Sequence, residues 1–105
     1  MKKVFVIDAA DNVGTVVVEA LQKGDPVGTN GRISDVTVTA NVDIPYGHKI
    51  ALKNIAKGDT VYKYGLSMGN AMSDIKAGDH VHVHNVESNR GRGDKVEDKP
   101  NVAKN

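Results

Sequence analysis

Apolar residues in this chain gather in short β-branched runs and not at helical spacing. The runs fall at 4–7, 13–18, 33–40, 50–52, 61–64 and 81–86, and each reads as a strand of modest length. Within 33–40, Val36, Val38 and Ala40 alternate with polar residues, the period-two pattern of a half-buried strand. The one candidate helix is 15–23, where Glu19, Ala20, Leu21 and Gln22 are good helix formers. Its Val16-Val17-Val18 suits a strand equally, so at most a turn or two is expected.

Between the runs one phrase recurs: Leu21-Gln22-Lys23-Gly24-Asp25-Pro26-Val27, Ile55-Ala56-Lys57-Gly58-Asp59-Thr60-Val61 and Ile75-Lys76-Ala77-Gly78-Asp79-His80-Val81. The glycine can take the positive φ of a tight turn, the aspartate can bond nearby amides, and the valine joins the next strand. The intervals are unequal, so this is a reused turn and not a solenoid repeat. The pattern predicts a small, mainly β fold with short strands and Gly-Asp turns. It covers 1–86; from 87 to 105 the chain is charged and polar, with only Val96, Val102 and Ala103 apolar, and a flexible charged tail is expected. The Arg92-Gly93-Asp94 tripeptide in that tail lacks an accompanying secretion signal, and its arginine is expected to meet a partner protein or an anion.

Composition narrows the function. The chain has 105 residues, enough for one core, with one Phe, three Tyr and no Trp, so the core must be aliphatic. Net charge is +1, which gives no electrostatic reason to bind nucleic acid or an anionic membrane. The absence of cysteine excludes disulfides and thiolate chemistry. The four-residue apolar run after Met1-Lys2-Lys3 is too short for a signal peptide or membrane span, and a cytoplasmic location is expected.

Three of the four histidines fall in His80-Val81-His82-Val83-His84. In a regular strand all three imidazoles share one face, spaced roughly 6.6 Å apart, and both valines take the other. Such a face suits a cation or an anion, or is simply a solvated surface over a valine core. The fourth histidine lies in Ile44-Pro45-Tyr46-Gly47-His48-Lys49-Ile50, where Pro45 and Gly47 bend the chain before a strand. There His48 could act as general acid or base and Lys49 could hold a carboxylate. Tyr62 and Tyr64 are expected on one strand face with Lys63 opposite, and Gly65 and Gly69 to bracket a turn.

Taken in order, Asp11-Asn12-Val13, Ile44-Pro45-Tyr46-Gly47-His48-Lys49-Ile50-Ala51-Leu52, Ile55-Ala56-Lys57-Gly58-Asp59, Tyr64-Gly65 and His80-Val81-His82-Val83-His84-Asn85 resemble the SAF domain of the altronate and galactarate dehydratase family. The resemblance implies a small SAF-type β-clip fold. It also implies a free-standing small subunit of a two-component lyase, partnered by a large catalytic dehydratase subunit. Such a lyase eliminates water from a sugar acid to give a 2-keto-3-deoxy acid. A similar protein is the alpha subunit of sulfolactate sulfo-lyase, and a stand-alone sugar-acid-binding module is a third alternative. By the same resemblance His48 is the expected catalytic residue, with Lys49, His82 and His84 facing substrate. His82 and His84 are also the expected metal contacts. A divalent cation such as Fe2+ or Mn2+ is expected in the assembled enzyme, held mainly by the large subunit. Exposed strand edges leave self-association as well as partner docking open.

Overall fold

Each of the three Gly-Asp phrases folds into the same corner in the computed structural model, which describes residues 1–88. In the first, the Gly24 N–H donates to the Ala40 carbonyl at 2.8 Å and the Ala40 N–H donates to the Asp25 carbonyl at 2.9 Å. Gly58-Asp59 makes the same exchange with Ala71, and Gly78-Asp79 with Ala51. The three glycines have φ of 91°, 90° and 94°, the left-handed region that penalises any Cβ. The Asp25 and Asp79 carboxylates accept from the N–H groups of Gln22 and Lys76, each three residues earlier, which closes the turn.

A fourth corner has the same backbone and a different residue at its tip. In Ile44-Pro45-Tyr46-Gly47-His48-Lys49-Ile50, Gly47 has φ of 86° and donates to the Val16 carbonyl at 2.8 Å, while Val16 donates to the His48 carbonyl at 2.9 Å. His48 therefore stands where the other corners carry aspartate. Pro45, which has no N–H, stands where Gln22 and Lys76 supply the donor that such an aspartate accepts.

The aliphatic residues that open the corners pair with one another. Leu21 and Ile44 form one isolated antiparallel bridge, and Ile55 and Ile75 form another. Each pair sits in its own core: the first with Val4, Val6, Val16, Val27, Ala40, Ile50 and Leu52, the second with Val13, Ala51, Val61, Ala71, Val81 and Val86. Alternation along the strand between them sends Ile50 to one core and Ala51 to the other. The aromatic-poor sequence thus fills two small aliphatic cores.

Among the described residues nine short strands connect the corners: β1 Lys2–Val6, β2 Val13–Thr15, β3 Pro26–Gly31, β4 Thr37–Thr39, β5 Lys49–Ala51, β6 Thr60–Lys63, β7 Leu66–Ala71, β8 His80–Val81 and β9 Val86–Ser88. Six make a sheet in the order β4-β3-β1-β2-β5-β8, and three make a second in the order β6-β7-β9. The mainly β expectation holds, and no helix forms among the described residues, the 15–23 segment included. No helix in those residues is long and apolar enough to cross a membrane.

Two strands lack the apolar pattern that would announce them. β3 contains Gly28, Asn30 and Gly31, and β7 contains Ser67, Gly69 and Asn70. The turn expected between Gly65 and Gly69 is instead a tight one at Tyr64-Gly65, with φ of 60° and 74°, and Gly69 lies inside β7. There the backbone of Glu87 in β9 approaches so closely that no Cβ would fit. Because Tyr64 leaves the strand at that turn, Lys63 is not isolated on an opposite face; its ammonium sits 4.4 Å from the centre of the Tyr64 ring. Strand β9 carries pairing through Ser88, past the expected domain end at 86. The rest of the expected tail, with Arg92-Gly93-Asp94, lies outside the described residues.

Candidate functional site

The histidine run is not one extended strand. Strand β8 ends at Val81, and residues 82–85 form a turn before β9. Asn85 makes the turn: its side-chain oxygen accepts from the His82 N–H at 3.0 Å, and its side-chain amide donates to the His80 carbonyl at 2.8 Å. The main chain reinforces it, with Asn85 N–H donating to the His82 carbonyl at 3.1 Å. A side chain that satisfies local backbone groups in this way replaces a sheet ladder. Val83, expected on the buried valine face, is consequently 77% exposed at the tip of the turn.

The pairing of β5 with β8 explains which histidines meet. Lys49 lies opposite Val81 and Ile50 opposite His80, so the next position outward sets His48 opposite His82. Their rings stack with centroids 3.9 Å apart and planes inclined by 14°. His80, two residues along the same face, has its ring 5.0 Å from that of His48. The Nδ1 of His48 lies 2.8 Å from the Nε2 of His80. One of those nitrogens must donate and the other accept, so a single proton lies between them. One ligand nitrogen from each of His48, His80 and His82 falls within 4.8 Å of the others.

His84 takes a different place. Its ring is 4.9 Å from that of His80 but inclined by 41°, and the residue is exposed. It borders an open cleft of about 600 Å³ that also touches His80 and is lined by Asp43, Asp74 and Asp79. Those carboxylates accept main-chain N–H bonds from Lys23, Lys57 and Lys76 and so hold corners in place.

Lys49 separates from its neighbour His48. As the first residue of β5 it shares a sheet face with Ala51, opposite to Ile50 and His80, and only 7% of it is exposed. Its ammonium has no hydrogen bond or ion pair among the described residues. Burial pushes its pKa down from 10.5, and the charge of Lys63 adds to that. The His80 pKa is lowered from 6.5 first by burial and then by the charges of His84, His48, His82 and Lys49. For His82 the order is burial, then His48, Lys49 and His84. His80 and His82 are thereby biased toward neutral imidazole, the form that accepts a proton or ligates a metal.

Residues 2–89 match the family described as the altronate/galactarate dehydratase SAF domain. The chain belongs to that SAF-domain family. Among curated relatives, altronate dehydratase of Escherichia coli is 45% identical over 83 residues, which are 79% of this chain and 16% of that protein. The altronate dehydratase of Bacillus subtilis is 39% identical across 85% of this chain and 17% of its own length. The (2R)-sulfolactate sulfo-lyase subunit alpha of Chromohalobacter salexigens is 41% identical over 91 residues, 82% of this chain and 95% of that subunit. The chain therefore spans about one-sixth of the dehydratases and nearly all of the sulfo-lyase subunit.

Of the residues expected to form the SAF-domain site, the structure unites His48 and His82, leaves His84 at the edge and turns Lys49 to the other face of β5. It adds His80, whose Nε2 contacts His48 directly. Asn85, which shapes the turn, was not among the expected site residues. The sequence holds a signal for His80 that only the strand register completes. The fourth corner is the Gly-Asp phrase with His48 in the aspartate position, and pairing the strands that leave the third and fourth corners puts His80 and His82 beside His48.

Proposed function

We propose that this chain is the small subunit of a two-component lyase and supplies the imidazole cluster to a site completed by a large catalytic subunit. The expected reaction is dehydratase-like, eliminating water from a sugar acid to give a 2-keto-3-deoxy acid. The observation that carries the two-component reading is the match along 95% of a protein named as an alpha subunit, while the matched segment is 16% of a protein named altronate dehydratase. That first match also favours a second substrate reading, sulfolactate with release of sulfite.

Either elimination removes a proton alpha to a carboxylate and expels a group from the beta carbon, which calls for a base, an acid and positive charge near the carboxylate. Within this chain, His48 is the catalytic residue of choice because it touches both His80 and His82. The contact with His80 fixes the orientation of its ring, as a partnered imidazole requires. Lys49 acts through its field: buried behind the sheet, it favours neutral His80 and His82 and lends positive potential to the site. His84, exposed on the cleft, is the group that meets substrate or the large subunit. Three imidazole nitrogens suit a borderline cation such as Fe2+ better than Mn2+, which prefers oxygen donors. Such a cation would polarise the substrate; the large subunit is expected to supply most of its remaining ligands.

The test is reconstitution. The chain is mixed with the large dehydratase-like subunit, altronate or sulfolactate is supplied, and the 2-keto acid or sulfite is assayed. Turnover should depend on this chain and fall at least about a hundredfold with His48→Ala, the usual weight of an acid–base group. Equal turnover with and without the chain would refute the reading. Sub-millimolar binding of altronate by the chain alone would support the stand-alone module in its place.

A further inference from the structure

We propose that His48, His80 and His82 form a three-nitrogen site for a divalent transition-metal cation on this chain alone. The site joins two corners: His48 from the turn into β5, and His80 and His82 from β8 and the residue after it. Their ligand nitrogens already lie within 4.8 Å of one another. Among the described residues these rings make one hydrogen bond, and it is to each other. Three imidazoles face to face, with no carboxylate or hydroxyl among the described residues accepting from them, crowd their ring nitrogens together. A cation relieves that arrangement by taking the place of the shared proton.

The geometric change required is a slight spreading of one nitrogen pair and a closing of the widest by up to about 1.5 Å, from within 4.8 Å to roughly 3.3 Å. Two nitrogens bound to one tetrahedral ion at about 2.05 Å each stand roughly 3.3 Å apart. The His48 and His80 nitrogens, now at 2.8 Å, need only draw apart by about half an ångström. The three planes lie within 23° of parallel, so ring rotation on the order of tens of degrees is also needed for the in-plane lone pairs to converge. Side chains that are half exposed have the freedom to make it. Nitrogen donors select Zn2+, Fe2+, Co2+ or Ni2+ over Mg2+ and Ca2+. Three protein ligands leave a position open for water or an oxygen of a hydroxy acid. That last step rests on the lyase reading; the cation site itself does not.

The experiment titrates Co2+ and Zn2+ into the full chain, followed by calorimetry and by the visible absorption of bound Co2+. One ion per chain is expected. His48→Ala, His80→Ala and His82→Ala should each weaken binding by more than about tenfold, while His84→Ala changes it less than about twofold. Histidine ring NMR of the unmodified chain with Zn2+ gives the answer even where a variant fails to fold: resonances of His48, His80 and His82 should shift together. No binding at millimolar metal, affinity undiminished in His80→Ala, or shifts confined to His84 would overturn the proposal. Metal binding without any effect of the chain on reconstituted turnover would refute the lyase reading and leave this one standing. Chain-dependent turnover without metal binding would do the reverse.

Discussion

Replacing Asn85 by alanine should loosen the histidine turn without touching a histidine. The side chain makes two partly buried hydrogen bonds, one accepting from the His82 N–H and one donating to the His80 carbonyl. At about 0.5–1.5 kcal/mol for each, their joint loss is about 2 kcal/mol. In a domain of this size that lowers the melting temperature by roughly 8–16 °C. The main-chain bonds of Asn85 to His82 and Met72 survive, so the fold should persist. Urea unfolding followed by circular dichroism measures the loss, and an unchanged m-value would show that the unfolded state is not responsible. The His82 ring should also leave the His48 ring it stacks on, which NMR reads as a loss of ring-current shift. A destabilisation under about 0.5 kcal/mol, with the stacking intact, would refute the claim that this amide builds the turn.

Other consequences follow from the corners and from the buried lysine. Gly24→Ala and Gly78→Ala both force alanine into left-handed backbone at about 1–2 kcal/mol, but a Cβ at Gly78 also falls on the Thr39 carbonyl oxygen while one at Gly24 meets nothing. Gly78→Ala should therefore cost at least about 1 kcal/mol more by chemical unfolding, and equal losses would count against the close approach. Asp25 is held below its usual pKa of 3.8 by hydrogen bonds from Lys2 and then from the Gln22 N–H. The unfolded chain therefore takes up that proton first, so the contribution is complete above 3.8 and disappears as pH falls through the lower folded value. Thermal melts across that range should converge for the unmodified chain and Asp25→Asn at the acid end and diverge at neutral pH. Lys49→Met removes a buried charge that has no partner among the described residues, and should stabilise the chain by on the order of 1 kcal/mol. NMR titration should then show the His80 and His82 pKa values rising toward 6.5, and a loss of stability would reveal a partner for the ammonium.

Much of the architecture was legible because turn chemistry is local. A glycine at positive φ followed by aspartate marks a corner whatever surrounds it, and β-branched runs mark β1, β2, β4, β5 and β6. Strands β3 and β7 escaped because what holds them is a neighbour and not their own side chains: β3 lies between β1 and β4, and β7 between β6 and β9. The histidine strand failed for a related reason. Period-two alternation assumes a ladder partner, and β5 supplies one only as far as Lys49, since Gly47 turns the chain away. Past that point Asn85 offered the backbone closer partners than a strand could. The family was legible from motif order. The part of His80 was not, because it depends on register between two corners distant in sequence.

The place of His48 in the corner makes a prediction that separates folding from function. In the first and third corners the aspartate side chain accepts from the N–H three residues back, and in the His48 corner that N–H is missing because the residue is Pro45. His48→Asp should then gain no cap and leave stability nearly unchanged, and Pro45→Gln alone should gain none either, since imidazole does not reproduce the carboxylate geometry. Together they rebuild the Gln22–Asp25 pairing, and the double variant should be more stable than the sum of the singles by about 1 kcal/mol, a coupling within reach of a double-mutant cycle. The double variant should also lose reconstituted turnover and tight Zn2+ binding together. A cycle with no coupling would mean that the four corners are alike in backbone only. A positive coupling would mean that proline and histidine replace a stabilising pair at the one corner whose tip faces His80 and His82, where stability is given up for chemistry.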